Sequence, residues 1–209
     1  MRINLRLWLA VLGMVIGLGI PAQAQNGLQS GDEFETLMQK IRQDFVSNPS
    51  IDEALAKYSE QDGSFTDVDY ASIQRTNWPP LVHVERISNF VYAYTNSENK
   101  YFGDESLYDK IVKGLEFWHE RNPWCHNWWY NQISEPQKLG VLLIQMRTGK
   151  KQIPAALEQK ILERVKTDGG DPAKWTGGNR TDIALHWIYR SCLQRNAEDL
   201  SYALENVYN

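Results

Sequence analysis

The sequence is poor in the residues that build metal centres and nucleotide sites. Its 209 residues include two cysteines and four histidines, and neither set has the spacing of metal ligands. The glycine pair at residues 177–178 also lacks the pattern of a phosphate-binding loop. No metal and no cofactor are therefore expected.

A hydrophobic run long enough to span a membrane is also missing. The longest apolar run, residues 7–20, has 14 residues, whereas a spanning helix needs roughly 20. Arg2 and Arg6 give it a positive start, and Ala22 and Ala24 supply the small residues that a signal peptidase accepts. Residues 1–24 are therefore predicted to be a cleavable signal peptide. The mature chain, residues 25–209, is expected to be secreted or periplasmic, with no membrane span after cleavage.

Positive charge is in the minority. The chain has 22 Lys and Arg against 26 Asp and Glu, and the two arginines of residues 1–24 are lost with the signal peptide, which leaves a net charge of about −6. An acidic chain is a poor candidate for binding nucleic acid, so no nucleic-acid partner is expected. The length suggests one domain with a sizeable core.

The two cysteines, Cys125 and Cys192, leave two interpretations open. Export permits a disulfide between them. Two small buried apolar side chains are the alternative.

Apolar residues recur at helical spacing through nearly all of the mature chain. Asp32 is placed to cap the first helix, with Glu35 three residues later as a capping box. Short loops between helices predict antiparallel neighbours. The expected fold class is all-α, either a closed bundle or a partial (incomplete) α/α toroid built from antiparallel helical hairpins. Helices are expected near residues 32–45, 51–60, 81–94, 107–118, 135–148, 154–165, 181–195 and 197–208, with an irregular stretch at 63–80 and a candidate extended piece at 67–73.

Tryptophan is abundant, and seven of the eight lie in the mature chain. Residues 122–133 combine three Trp with a Tyr, a His and several amide side chains between two predicted helices. Aromatic faces stack on the apolar face of a sugar ring while amides bond its hydroxyls, so this segment suits carbohydrate binding. The alternative is that Trp124 and Trp128 only fill the gap between helices.

Residues 175–182 form a second notable segment, which leads straight into a helix. Its glycines permit a tight turn, and Asn179 or Thr181 is placed to cap the helix. An amide here would meet a carboxylate near the positive end of the helix. The alternative is an ordinary loop and cap with Arg180 on the surface.

Together the two segments resemble the N-terminal helical domain of the polysaccharide lyases that act on chondroitin and hyaluronan. The resemblance is specific at two motifs: Asn127-Trp128-Trp129 with Gln132, Ile133 and Pro136, and residues 176–182 with Ala184, Leu185 and His186. It extends over most of the mature chain in helix pattern and implies an incomplete α/α toroid with a long cleft.

The resemblance also implies the roles of the site residues. Trp128 and Trp129 would stack on sugar rings, with Asn127, Gln132 and Arg180 as further substrate-binding residues. Asn179 would neutralise the uronic acid carboxylate during β-elimination, in which a Tyr, helped by a His, moves the proton. The implied partner is an acidic polysaccharide, a glycosaminoglycan. The candidates for a positive strip that would bind it are Lys138, Arg147, Lys174 and Arg180.

The sequence departs from the family pattern in two ways. Ser134 stands where a glycine is usual, and Glu135 stands where an uncharged residue is more usual. The catalytic His, Tyr and Arg of the family follow the seventh helix, whereas this chain stops 30 residues after Asn179. We therefore expect an apparently truncated N-terminal segment, inactive alone. The alternatives are a stand-alone carbohydrate-binding helical module and a structural helical protein with a Trp-rich core.

Overall fold

A computed structural model describes residues 32–208, so the predicted signal peptide lies outside the described residues. The described chain forms eight α-helices, a π-helical turn over Tyr130–Ser134 that runs directly into α5, and a 3₁₀ turn over Pro172–Lys174 that precedes α7. The helices are α1 Glu33–Asp44, α2 Asp52–Lys57, α3 Leu81–Thr95, α4 Glu105–Arg121, α5 Glu135–Met146, α6 Ala155–Asp168, α7 Gly177–Gln194 and α8 Ala197–Tyr208.

The helices are arranged as hairpins in two layers. α3, α5 and α7 pack side by side as an inner layer, and α4 and α6 carry the chain back along the outside. Because each return helix reverses the chain direction, the three inner helices run parallel and begin at the same end. α1 lies against α5 and α7. The all-α prediction is confirmed, since the described residues contain no strand beyond one isolated bridge.

The first helix begins as its cap residue predicts. The Asp32 carboxylate accepts a hydrogen bond from the backbone N–H of Glu35 at 3.3 Å. The Glu35 side chain pairs with Arg42, two turns further along the helix. Only the Asp32 side of the predicted capping box is therefore formed. Asp32 also bonds Arg195 at 2.6 Å, which ties the start of α1 to the end of α7.

Three local expectations are wrong. The second helix, expected to reach residue 60, ends at Lys57, because Tyr58 turns into the core and forms a β-bridge with Phe65. Residues 67–73 are irregular rather than extended, and the Ser72 N–H donates to the Asp69 carbonyl across a turn at residues 70–71. α7 begins at Gly177, four residues before Thr181, because a glycine tolerates the left-handed φ of +58° at its first position.

The two cysteines are free thiols, each buried. Cys125 is 1% exposed and Cys192 is fully buried. Of the two interpretations left open by the sequence, the structure supports small buried apolar side chains.

The inner layer is closely packed where α5 crosses α7. A Cβ added to Gly140 would lie 2.8 Å from the Cβ of Tyr189, which is itself fully buried. Only a glycine therefore permits this approach. The packing matters for the site because it sets the spacing between the first turns of α5 and α7.

The fold predicts opposite effects for two glycine substitutions. Gly140→Ala should lower the free energy of unfolding by about 1–3 kcal/mol, since the clash with Tyr189 outweighs the gain in helix propensity. Gly178→Ala is the matched control, because its Cβ would meet nothing within 4 Å, and it should raise stability by up to about 1 kcal/mol. Urea unfolding of both variants measures the difference. Equal effects would show that α5 and α7 are not in close contact at Gly140.

Candidate functional site

The two segments that the sequence singles out meet at the end where the inner helices begin. The indole of Trp128 stacks on that of Trp175, with ring centroids 4.1 Å apart and planes 25° from parallel. The side-chain amide of Gln137, in the first turn of α5, donates to the Asp182 carbonyl of α7 at 2.7 Å. The aromatic loop, defined here as residues 122–129, is thereby joined to the start of α7.

Amide side chains hold the aromatic loop in shape. Asn131 is 2% exposed. Its side chain accepts from the Cys125 N–H at 3.0 Å and donates to the Cys125 carbonyl at 2.7 Å. Asn127 donates to the Arg75 carbonyl at 2.9 Å and accepts from the Trp129 N–H at 3.1 Å. Asn127, predicted to bind substrate, therefore also orders the backbone that carries Trp129.

Trp129 presents an open aromatic surface. It is 40% exposed and meets Tyr130 edge-on, with centroids 5.2 Å apart. It borders a groove of about 630 Å³ between α3 and α5, whose polar lining includes Asn89 and Gln137. Trp124 is 55% exposed, so it does not fill a gap between helices. The core instead receives Trp78 and Trp118, which are 2% and 1% exposed.

The start of α7 is open on the side of the second segment. Thr176 is the N-cap residue and its side chain makes no capping hydrogen bond, so neither Asn179 nor Thr181 caps the helix as expected. Asn179 is the third residue of α7 and is exposed. Apart from its chain neighbours and the backbone of its own helix, no atom lies within 4 Å of the position where a Cβ would stand on Gly178. The first-turn N–H groups and the Asn179 amide therefore face space that a ligand can enter.

Gln132 and Arg180 lie against the scaffold. Arg180 is half-buried, and its Nε donates to the side-chain oxygen of Asn206 in α8 at 2.9 Å. Gln132 is half-buried beside Gly170, and among the described residues its buried Oε1 has no hydrogen-bond donor. Both remain predictions as substrate-binding residues.

The charges at this end do not form a strip of lysines and arginines. Lys138, in the first turn of α5, lies 3.1 Å from Glu85. Arg147 follows the last residue of α5, so it lies at the opposite end of that helix, where it pairs with Glu158. Acidic neighbours therefore offset two of the four cations proposed for the strip. The parallel inner helices compensate in part, because each directs the positive end of its dipole to this end of the domain.

The histidines of the inner helices and Tyr189 are packing residues. His83 and His186 are fully buried, and burial lowers the pKa of each to about 4. His83 bonds Tyr70 at 2.8 Å and stacks on Trp118. His186 bonds the Gly169 carbonyl at 2.7 Å, and Tyr189 is fully buried. Both histidines are therefore neutral near pH 7 and removed from the aromatic loop.

Within residues 32–208, no cluster of three or more His, Cys, Asp or Glu is placed to hold a metal ion. No helix of the same residues is long and apolar enough to cross a membrane.

The family model described as "Polysaccharide lyase family 8, N terminal alpha-helical domain" matches residues 23–209. The chain therefore belongs to polysaccharide lyase family 8, as an N-terminal α-helical domain.

Individual relatives agree. The chain is 41% identical over 149 residues to a chondroitinase-AC of Pedobacter heparinus, a match that covers 71% of this chain and 21% of the relative. A solved structure of chondroitinase AC lyase with oligosaccharide complexes superposes with a TM-score of 0.78 at 36% identity, over 84% of this chain and 26% of that one. This match confirms the partial α/α toroid. The chain thus spans about a fifth to a quarter of the length of these relatives.

More distant structures share the fold. A xanthan lyase of Paenibacillus superposes with a TM-score of 0.64 at 17% identity, over 85% of this chain and 19% of that one. A chondroitin AC lyase of Streptomyces coelicolor A3, in complex with chondroitin sulphate, gives 0.62 at 17% identity, over 94% of this chain and 26% of that one.

The sequence did not reveal three residues that shape the site. Trp175 belongs to the second segment, but only the fold places its ring on Trp128. Asn131 stands among the amides of the first segment, but its bonds to Cys125 require the loop to fold back. Arg164, on α6, reaches the Pro123 carbonyl of the loop at 2.9 Å, and no local pattern signals that contact.

The stacked pair predicts coupling between the two segments. In a double-mutant cycle of Trp128→Ala and Trp175→Ala, we expect a coupling of about 0.5–1.5 kcal/mol in the free energy of unfolding. Trp124→Ala is the control, because that indole is exposed and should couple to neither. Additive losses for Trp128 and Trp175 would contradict the observed stack.

Proposed function

We propose that the chain forms part of the substrate-binding cleft of a secreted lyase that cleaves glycosaminoglycans containing uronic acid, chondroitin or hyaluronan, by β-elimination. One observation carries the proposal: the stack of Trp128 on Trp175 joins the aromatic loop to the helix start that bears Asn179. Membership of polysaccharide lyase family 8 supports the reaction class. The similarity to a chondroitinase-AC supports the substrate class.

Trp128 and Trp129 are the proposed sugar platform. A pyranose ring has an apolar face of C–H groups, which an indole covers while the hydroxyls stay bonded to water or amides. Trp129 is 40% exposed, and the stack on Trp175 holds the plane of Trp128. The groove beside Trp129 adds the amides of Asn89 and Gln137 as hydrogen-bonding groups for a polar polymer.

Asn179 is the proposed group that neutralises the uronate carboxylate. Removal of the proton at C5 of the uronic acid drives negative charge onto that carboxylate. A side-chain amide in the first turn of α7, with N–H groups that no side chain caps, stabilises the enolate-like state more than the ground state. Arg180, which follows Asn179, is proposed only as a further substrate-binding residue, and its Nε bonds Asn206 at 2.9 Å.

Proton transfer is proposed to fall to residues outside this chain. The histidines of the inner helices are buried and neutral, so neither His83 nor His186 reaches a substrate lying on Trp129. The general base and acid, a Tyr helped by a His, would follow in a longer protein, as in the family pattern. The chain therefore contributes binding and carboxylate neutralisation.

Export of the chain is part of the proposal. A polymer of this kind is met outside the cell, and residues 1–24 have the pattern of a signal peptide. The family match starts at residue 23, so residues 1–22 lie before the matched domain. A secreted or periplasmic location follows.

The substitution Asn179→Asp is expected to change the affinity for substrate without lowering the stability of the fold. An acidic residue in the first turn of a helix is favourable by roughly 0.3–1 kcal/mol, so the melting temperature should hold or rise. Repulsion of the uronate should weaken binding of a chondroitin tetrasaccharide about tenfold, measured by calorimetry. Asn196→Asp is the matched control, since it adds the same charge at the start of α8, beyond the other end of α7. Unchanged affinity in Asn179→Asp would remove Asn179 from the site.

The isolated chain should bind chondroitin without cleaving it. We expect no rise in ultraviolet absorbance from an unsaturated uronate product when chondroitin sulfate or hyaluronan is incubated with residues 25–209. Sustained product formation that follows the protein through purification would contradict the placement of the proton-transfer residues outside the chain.

A further inference from the structure

A buried ion pair lies beneath the aromatic loop. Glu135, the first residue of α5, is 4% exposed, and Arg164 of α6 is 9% exposed. Arg164 Nη2 lies 2.8 Å from Glu135 Oε1, and the indole N–H of Trp118 donates to the same oxygen at 2.9 Å. Burial raises the pKa of the Glu135 carboxyl, and the nearby guanidinium opposes that rise.

The same guanidinium holds the entry to the aromatic loop. Arg164 Nη1 donates to the Trp118 carbonyl in the last turn of α4 at 3.2 Å, and Nη2 donates to the Pro123 carbonyl at 2.9 Å. Its carbon lies 5.3 Å from the centre of the Trp118 ring. One side chain thus joins α4, α5, α6 and the second residue of the loop.

A line of aromatic contacts leads from this pair to the exposed platform. Trp118, fixed by Glu135, packs on Trp78 with centroids 6.2 Å apart. Trp78 packs on Tyr130 at 5.8 Å, and Tyr130 meets Trp129 at 5.2 Å. A shift of Trp118 therefore moves the support of Trp129, while a release of Pro123 moves the loop that carries Trp128.

Stability alone does not account for this arrangement. The free energy needed to remove two charges from water is about as large as the attraction between them. Proteins in which apolar residues replace a buried ion pair are therefore often as stable as the original. An apolar pair, however, would leave the Pro123 carbonyl without its donor, and it would leave the Trp118 carbonyl with only the Asn122 N–H at 3.1 Å. The geometry assigns the Glu135–Arg164 pair a positioning role: it sets the orientation of the Trp128 and Trp129 platform. This inference rests on the proposed function in so far as the platform binds sugar.

Arg164→Lys tests the role. A single ammonium keeps the charge near Glu135 but does not span the Trp118 and Pro123 carbonyls together. In the free protein, the exciton-coupled circular dichroism of the stacked indoles, defined as the signal lost in Trp175→Phe, should fall by at least about half in Arg164→Lys, and affinity for a chondroitin tetrasaccharide should fall about tenfold.

The neutral double variant Glu135→Gln with Arg164→Met removes the charge imbalance that either change alone would bury. It should unfold cooperatively but still show the reduced dichroism, because both carbonyls lose the Arg164 guanidinium and the Pro123 carbonyl is left without a donor. Arg190→Lys is the matched control: Arg190 is 1% exposed, bonds Asp199 at 2.7 Å and lies over Trp187, away from the loop. It should lower the melting temperature and leave the dichroism unchanged.

Wild-type dichroism retained in both Arg164→Lys and the double variant would overturn the inference. The dichroism is read without ligand, so it decides the positioning role even if the wild-type chain binds no oligosaccharide. A wild-type chain that binds no oligosaccharide would instead overturn the proposed function.

Discussion

The stack of Trp128 on Trp175 is the contact on which the candidate site depends. The two rings belong to different inter-helix connections, one before α5 and one before α7, and each connection alone is a short loop at a helix end. The stack brings the loop that carries Trp129 against the connection that leads to Asn179. The close approach of α5 and α7 at Gly140 sets the distance over which that contact is made.

The parallel direction of the inner helices reconciles an acidic chain with the proposed anionic polymer. The mature chain carries a net charge of about −6, and lysines such as Lys138 are paired with carboxylates. Three helix N-termini at one end supply partial positive charge that does not enter the count of ionised side chains. Local dipoles at the start of α7 therefore matter more for a uronate than the total charge.

Much of this architecture could be predicted from the sequence, because the signals are local. Helical spacing of apolar residues gave the helices, and Asp32 gave the start of α1. The predicted start of α7, at Thr181, is four residues too late. The prediction rests on the spacing of apolar residues, and the first turn of α7 begins with two glycines that this spacing does not include. The candidate site residues Trp128, Trp129 and Asn179 are predicted from motifs. The supports came only from the fold, because Trp175, Asn131 and Arg164 act through contacts between segments distant in sequence or through a loop that folds back.

The most direct test of the account is the indole N–H spectrum of residues 25–209 during titration with a chondroitin tetrasaccharide. The account predicts that the resonances of Trp128, Trp129 and Trp175 shift, while that of Trp187, whose indole N–H bonds the Gly170 carbonyl at 2.9 Å, stays in place. Shifts confined to Trp124 and Trp187, or none at saturating sugar, would contradict a substrate cleft at the start of the inner helices.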